Sequence, residues 1–72
     1  MTNLQKYRKT QGYTQMQLAT MTGLKKNTLA LYERGERDIN KAAANVIYRL
    51  SIALSCHMED LLEQPTADIM EK

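Results

Sequence analysis

Residues 14–35 contain the side chains whose types and spacing could do chemistry. In this stretch two short predicted helices are joined by a tight turn at Gly23, and the second helix begins with Lys25 and Lys26. Unpaired backbone N–H groups give a helix start a partial positive charge, so cations there are unfavourable in isolation. A phosphate bound at that helix end would make both lysines favourable. The pattern therefore indicates binding to a nucleic acid, and two solvated surface lysines are the alternative.

Cys56 and His57 are adjacent and invite a catalytic interpretation. Cys56 is the only cysteine and His57 the only histidine, so neither an internal disulfide nor a zinc-binding spacing is available. Sequence neighbours rarely oppose each other in space, as a nucleophile and its base must. We therefore expect a packed thiol and a solvent-facing histidine, and we predict no catalytic residue, no bound metal and no cofactor.

The length of 72 residues and the hydrophobic content of 43% indicate one small globular domain. Residues 1–49 hold nine Lys and Arg and three acidic residues, whereas residues 50–72 hold one Lys and five acidic residues. One explanation of this uneven charge distribution is a basic surface that binds a partner, and the other is a scatter of solvated charges. No apolar run approaches the roughly 18 residues of a membrane span, and we expect a cytoplasmic protein.

Three glycines divide the first half of the chain into helices. Gly12, Gly23 and Gly35 each follow a helical pattern, as residues beyond a helix C-terminus commonly do. Thr14 and Gln17 have the spacing of a capping box, which predicts that a helix starts there. The buried faces of the second and third helices are marked by Leu18, Leu24, Leu29 and Tyr32.

Two further helices are predicted in the second half of the chain. Asp38 or Asn40 can cap the fourth helix, and Glu59 and Asp60 suit the first turn of a brief fifth helix. The inner face of the fourth helix is predicted to consist of Ala43, Val46, Ile47, Leu50, Ala53 and Leu54.

The sequence shows no strand-like alternation, so the predicted fold class is all-α. Pro65 interrupts the helical pattern. We therefore predict a compact five-helix domain over residues 1–63 and a mobile C-terminal tail over residues 64–72.

At these positions the sequence resembles the XRE family, the helix-turn-helix regulators of Cro and phage-repressor type. The resemblance extends from about Leu4 to Leu62. It is carried by Leu4, Arg8, Gly12-Tyr13-Thr14-Gln15, Leu18-Ala19, Gly23-Leu24, Leu29 and Tyr32-Glu33-Arg34-Gly35. The resemblance implies that helices two and three form the helix-turn-helix presented to B-form DNA.

In that docking mode the third helix enters the major groove. The residues then implied to contact DNA are Thr14, Gln15, Lys25, Lys26, Asn27, Thr28, Leu31 and Arg37. Lys25 and Lys26 could reach phosphates or guanine, and Asn27 could pair with adenine. Because Asn is also a good N-cap residue, a capping role for Asn27 is the alternative. Leu31 could touch a thymine methyl group or could face a protein partner.

The same resemblance implies a structural ion pair between Arg8 and Glu33, which would pin the first helix to the third. Two short helices contact only a few base pairs, so we expect a symmetric homodimer on a two-fold operator. The candidate dimer surface consists of Met58, Leu61, Leu62, Ile69 and Met70.

The resulting functional prediction is a sequence-specific regulator that binds double-stranded DNA and acts as a repressor. The alternative is a protein-interaction or antitoxin-like module that keeps the helix-turn-helix fold and binds a protein partner. Leu31 and the methionines expected to be exposed, Met16 and Met21, favour that alternative slightly. An enzyme is not predicted, because no constellation of residues supports one.

Overall fold

A computed structural model describes residues 1–63 of the chain. These residues form five α-helices. In chain order they are α1 (Asn3–Gln11), α2 (Gln15–Thr22), α3 (Lys26–Arg34), α4 (Ala44–Leu54) and α5 (Met58–Leu61). A one-turn 3-10 helix (Ile39–Lys41) lies between α3 and α4. No strand occurs within residues 1–63, so the predicted all-α, five-helix fold is confirmed. Each of these helices is too short to cross a membrane.

The turn between α2 and α3 depends on Gly23. This glycine ends α2 with a φ of 75°, and its N–H donates to the Ala19 carbonyl. A residue with a side chain would be strained at that angle. Its Cβ would also lie 3.4 Å from Arg49 Nη1 on α4. Glycine therefore lets the chain reverse between the two helices of the motif within a few residues.

The start of α2 is fixed by the predicted capping box. The Gln17 N–H donates to Thr14 Oγ1 at 3.0 Å, and the Thr14 N–H donates to Gln17 Oε1 at 2.8 Å. Two backbone donors that a helix start leaves without partners are satisfied in this way. The box is confirmed, and it defines where the second helix begins.

The core is built mainly from leucines, and every α-helix contributes at least one. The fully buried side chains are Leu4, Leu18, Leu29, Leu50, Leu54 and Leu61. Ala19, Tyr32, Ile39 and Ile47 complete the buried cluster beside them. The predicted inner positions of α2, α3 and α4 are thus largely confirmed, and this core sets the angle at which α3 is held.

The start of the fourth helix differs from the prediction. Asp38 does act as a cap, because its Oδ1 accepts from the Asn40 N–H at 2.9 Å, but it caps the 3-10 helix. Burial of Ile39, which is 3% exposed, gives that segment its own turn ahead of α4. As a result α4 begins only at Ala44, and Ala43 is exposed instead of facing the core.

The end of the described chain is tied to α1 and to the 3-10 helix. The Asn3 N–H donates to Glu63 Oε2 at 2.8 Å. Asn40 and Glu63 exchange two hydrogen bonds, of 2.9 and 3.0 Å, between the Asn40 side-chain amide and the Glu63 backbone. The segment predicted as a mobile tail, residues 64–72, lies outside the described residues.

The dimer surface predicted on α5 is wrong for Leu61. This side chain is fully buried, because the single turn of α5 packs its apolar side onto α1 and α4. Met58 and Leu62 are half-buried and pack against the same core. The other two candidates, Ile69 and Met70, lie outside the described residues. The described part of α5 therefore offers little apolar surface to a second copy.

Candidate nucleic-acid interface

A buried ion pair between Arg8 and Glu33 holds the predicted interface together. Arg8 Nε lies 2.6 Å from Glu33 Oε2, and Arg8 Nη2 lies 3.1 Å from Glu33 Oε1. The two side chains are 11% and 0% exposed. Arg8 Nη1 also donates to the Tyr13 carbonyl at 2.7 Å, directly before the start of α2. Arg8 on α1 thus fixes both α3 and the beginning of α2.

Gln15, predicted as a DNA contact, is also part of this cluster. Its Nε2 donates to Glu33 Oε1 at 3.0 Å, and its side chain is half-buried. The first residue of α2 is thereby bonded directly to α3. Sequence reasoning missed this bond, because the two residues are 18 positions apart and no local spacing rule connects them. Gln15 therefore helps to set the relative position of the two helices.

The start of α3 is exposed and lacks a side-chain cap. Lys25 occupies the N-cap position with φ −77° and ψ 143°, and its side chain makes no capping hydrogen bond. The first backbone bond of the helix runs from the Leu29 N–H to the Lys25 carbonyl. The N–H groups of Lys26, Asn27 and Thr28 therefore have no acceptor within the helix. Both lysines are exposed beside these donors, which makes this helix end strongly electropositive.

The capping alternative for Asn27 is wrong. Asn27 is the second residue of α3, two positions after the N-cap Lys25, and its side chain is exposed. An N-cap must precede the helix so that its side chain can accept from the N–H groups that follow. The amide of Asn27 is therefore free of any structural role at the helix start.

Thr28 and Leu31 lie further along α3 and are both half-buried. Their neighbours Leu29 and Tyr32 are buried in the core. Leu31 thus leaves part of an apolar side chain exposed on α3. The exposed residues of the helix outside this strip are Lys26, Asn27 and Arg34.

Two arginines lie at the end of α3 and differ in their partners. Arg34 pairs with Glu36 at 2.8 Å on the exposed surface. Arg37 forms no ion pair among the described residues, and its guanidinium lies 5.8 Å from the centre of the Tyr32 ring. An aromatic face attracts a cation, so Tyr32 orients Arg37 and leaves its N–H donors available.

The turn of the motif is also held from α4. Arg49 Nη1 donates to the Thr22 carbonyl at 3.1 Å, at the last residue of α2. Carbonyl groups at a helix C-terminus carry partial negative charge, so a cation stabilises this end. No local spacing rule connects these two residues, which are 27 positions apart.

Cys56 and His57 do not form a reactive pair. Burial raises the pKa of the Cys56 thiol, and the negative charge of Asp60 raises it further. A nucleophilic cysteine needs the opposite shift, since the thiolate is the reactive form. His57 is exposed, and its backbone N–H donates to Asp60 Oδ2 at 3.0 Å at the start of α5. Both residues therefore have structural explanations.

The arrangement of α2, the glycine turn and α3 matches a known family. The helix-turn-helix family model matches residues 4–61. The chain belongs to the helix-turn-helix family. The resemblance to the XRE type, inferred from the sequence, is confirmed. No sequence among the curated proteins matches this helix-turn-helix protein significantly.

Solved structures of two regulators are similar to this helix-turn-helix protein. One is SinR, the master regulator for biofilm formation, solved in complex with DNA. It is 27% identical in sequence and has a TM-score of 0.75, and the match covers 83% of this chain and 95% of that one. The N-terminal DNA-binding domain of SinR from Bacillus subtilis gives 26% identity, a TM-score of 0.74 and coverage of 85% and 86%. The restriction-modification controller protein C.AhdI from Aeromonas hydrophila gives 28% identity, a TM-score of 0.73 and coverage of 83% and 86%.

Family membership and these neighbours together support the coarser part of the functional prediction, a DNA-binding transcriptional regulator.

Proposed function

We propose that this helix-turn-helix protein recognises a specific sequence in double-stranded DNA and represses transcription by occupying a promoter operator. The observation that carries the proposal is the start of α3, where exposed Lys25 and Lys26 flank backbone N–H groups that have no acceptor within the helix. Such a helix end favours a phosphate or another electronegative group. The DNA complex of SinR, a protein of the same fold, supports the proposal.

In this proposal α3 lies in the major groove and its first residues face base edges. Lys26 donates to guanine O6 or N7, and the free amide of Asn27 pairs with adenine N6 and N7. Thr28 and Leu31 continue the contact along the helix, Leu31 against a thymine methyl group. Each well-placed bidentate pair is worth roughly 1–3 kcal/mol of discrimination against the wrong base.

Contacts to the DNA backbone come from the edges of the motif. Lys25 and Arg37 lie before and after α3 and donate to phosphates. Thr14 and Gln15 at the start of α2 donate to a further phosphate, Thr14 through its hydroxyl hydrogen and Gln15 through its second amide hydrogen. Such contacts fix the register of the protein on the duplex and carry no sequence information themselves.

A homodimer on a two-fold operator follows from the small reading surface. One short helix contacts only a few base pairs, so useful affinity needs two copies with half-sites about one helical turn (~34 Å) apart. An operator occupied in this way is closed to polymerase by simple exclusion, which is why repression is proposed.

A protein-interaction module is the second candidate function. The observation that favours it is the exposure of Met16 and Met21 on α2, which are 57% and 50% exposed. Exposed methionines adapt well to protein partners. These side chains lie outside the residues proposed to contact DNA, so a protein contact there is compatible with DNA binding.

Selection from random duplexes at moderate salt tests the proposal. We expect enrichment of one motif with two-fold symmetry. The affinity for that motif should fall with salt, with a slope of log K against log salt of about −0.9 per phosphate neutralised. A module that binds only protein would enrich no motif, and this outcome would contradict the proposal.

A further inference from the structure

We propose that a second copy of this chain docks on an apolar patch formed by α2 and α4. The patch consists of Met16 and Met21 on α2 and of Tyr48 and Ile52 on α4, and these four side chains are 57%, 50%, 56% and 62% exposed. Among residues 1–63, the remaining large exposed hydrophobic side chain is Met1. Exposed apolar side chains are thus concentrated on one face of the domain.

The α2–α4 patch is continuous. One groove runs along α2 and is lined by Tyr13, Met16 and Met21. A second groove lies between α2 and α4 and includes Tyr48 and Ile52. Tyr13 and Met21 line both grooves and so connect them. Half-exposure of four side chains of this size leaves about 400 Å² of apolar surface. That area equals the largest apolar patch of a typical monomer, and such patches are often functional.

The charge distribution favours a second copy over a charged partner. α2 carries no charged residue, and Arg49 is the only one on α4. Arg49 Nη1 donates to the Thr22 carbonyl at the C-terminus of α2, where the helix dipole partly offsets its charge. Two such faces can therefore meet without uncompensated like charges, and the centres of homodimer interfaces are poor in charged residues.

The area also suits a dimer. A standard interface buries about 800 Å² on each partner, with an apolar centre and a polar rim. The α2–α4 patch supplies the centre, and the exposed uncharged side chains of Gln17 and Thr20 border it. A two-fold interface uses the same patch on both copies, so one self-complementary face is sufficient.

The inference rests on the proposed function in one respect, that a two-fold operator requires two copies. Leu61 on α5 is buried in the core and is not available for this role. Within residues 1–63, every large exposed hydrophobic side chain except Met1 lies on the α2–α4 patch. Lys25 and Lys26 are not part of either groove of the patch, and of the residues proposed to contact DNA only Thr14 lines one of the grooves. Docking there leaves the start of α3 free for DNA.

Sedimentation equilibrium of the full chain tests the proposal. The variants are Ile52→Glu and Met21→Lys, which place a charge at the patch from two different helices. Thr10→Glu is the matched control, because Thr10 is exposed on α1 and lies in neither groove. We expect wild type and the control to dimerise alike, and each patch variant to raise the dimer dissociation constant at least tenfold. Circular dichroism verifies that the variants remain folded.

Binding to a short random duplex at low salt separates this inference from the proposed function. Variants that are monomeric and still bind the duplex support both. Variants that dimerise as tightly as wild type, or a wild type that is monomeric at millimolar concentration, would overturn the dimer surface and leave DNA binding intact. Normal patch-dependent dimerisation without any duplex binding would support the surface and overturn the proposed function.

Discussion

The Arg8 guanidinium and the Glu33 carboxylate form two parallel hydrogen bonds, of 2.6 and 3.1 Å, inside the domain. This geometry matches the planar fork of arginine to the two carboxylate oxygens. The pair connects the first and third helices. Because Gln15 donates to the same carboxylate, the pair also positions the start of the second helix.

Removal of either Arg8 or Glu33 should therefore destabilise the protein strongly. We expect Arg8→Met to lower the free energy of unfolding by about 3–5 kcal/mol, because the fully buried Glu33 carboxylate would lose its counter-ion. Urea denaturation measures the change. Arg34→Met is the control, since it breaks the exposed Arg34–Glu36 pair and should cost no more than about 1 kcal/mol. Equal effects of the two variants would contradict this interpretation.

The turn between α2 and α3 gives a second prediction. Gly23→Ala should destabilise the protein by about 1–2 kcal/mol, since its φ of 75° is unfavourable for a residue with a side chain. Gly35→Ala is a matched control with a φ of 78° and no atom within 4 Å of its Cβ. Thermal unfolding should show losses of similar size for the two variants, because they share the positive φ and a Cβ 3.4 Å from the flexible end of Arg49 makes only an ordinary contact. Wild-type stability of Gly23→Ala would contradict the prediction.

The shifted pKa of Cys56 predicts slow alkylation. Burial and the Asp60 carboxylate both raise this pKa, so at pH 8 the reactive thiolate is a smaller fraction than in a free cysteine. The rate of iodoacetamide reaction should keep rising above pH 9. Asp60→Asn should lower the pKa and accelerate the reaction at pH 8, whereas Glu59→Gln should not. If the alkylation rate of the wild-type protein depended on pH as it does for a free cysteine, the raised pKa of Cys56 would be contradicted.

The free amide of Asn27 gives a prediction specific to recognition. Asn27→Ala should weaken binding to the selected duplex by about 1–3 kcal/mol and relax the preference at one adenine. Its stability should be unchanged, because the side chain caps nothing. Asn45→Ala, at an exposed position of α4, should bind like wild type. A loss of affinity that is the same on every sequence would argue for a phosphate contact instead.

The helix boundaries in the first half of the chain were predictable, because they depend on local rules. The Thr14–Gln17 box and the glycine after α2 act within four residues, and both are confirmed. The leucine positions follow from helical periodicity and are confirmed for the same reason. Local spacing was thus sufficient to place the two helices of the motif.

The features that were missed depend on tertiary packing. Burial of Ile39 creates the 3-10 helix and delays α4, and nothing in the local sequence reports that burial. The Gln15–Glu33 and Arg49–Thr22 bonds join residues 18 and 27 positions apart. Leu61 was misassigned because a helix of one turn is too short to reveal which side faces the core.

The central claim is that Lys25 and Lys26 bind the DNA backbone or guanine at the start of α3. The most direct test of this claim is the affinity of the Lys25→Glu/Lys26→Glu double variant for the selected duplex at low salt. Lys6→Glu/Lys9→Glu changes the net charge equally on exposed positions of α1 and serves as the control. We predict at least a hundredfold loss for the first variant and a much smaller loss for the control. Wild-type affinity in the Lys25→Glu/Lys26→Glu variant would contradict the claim.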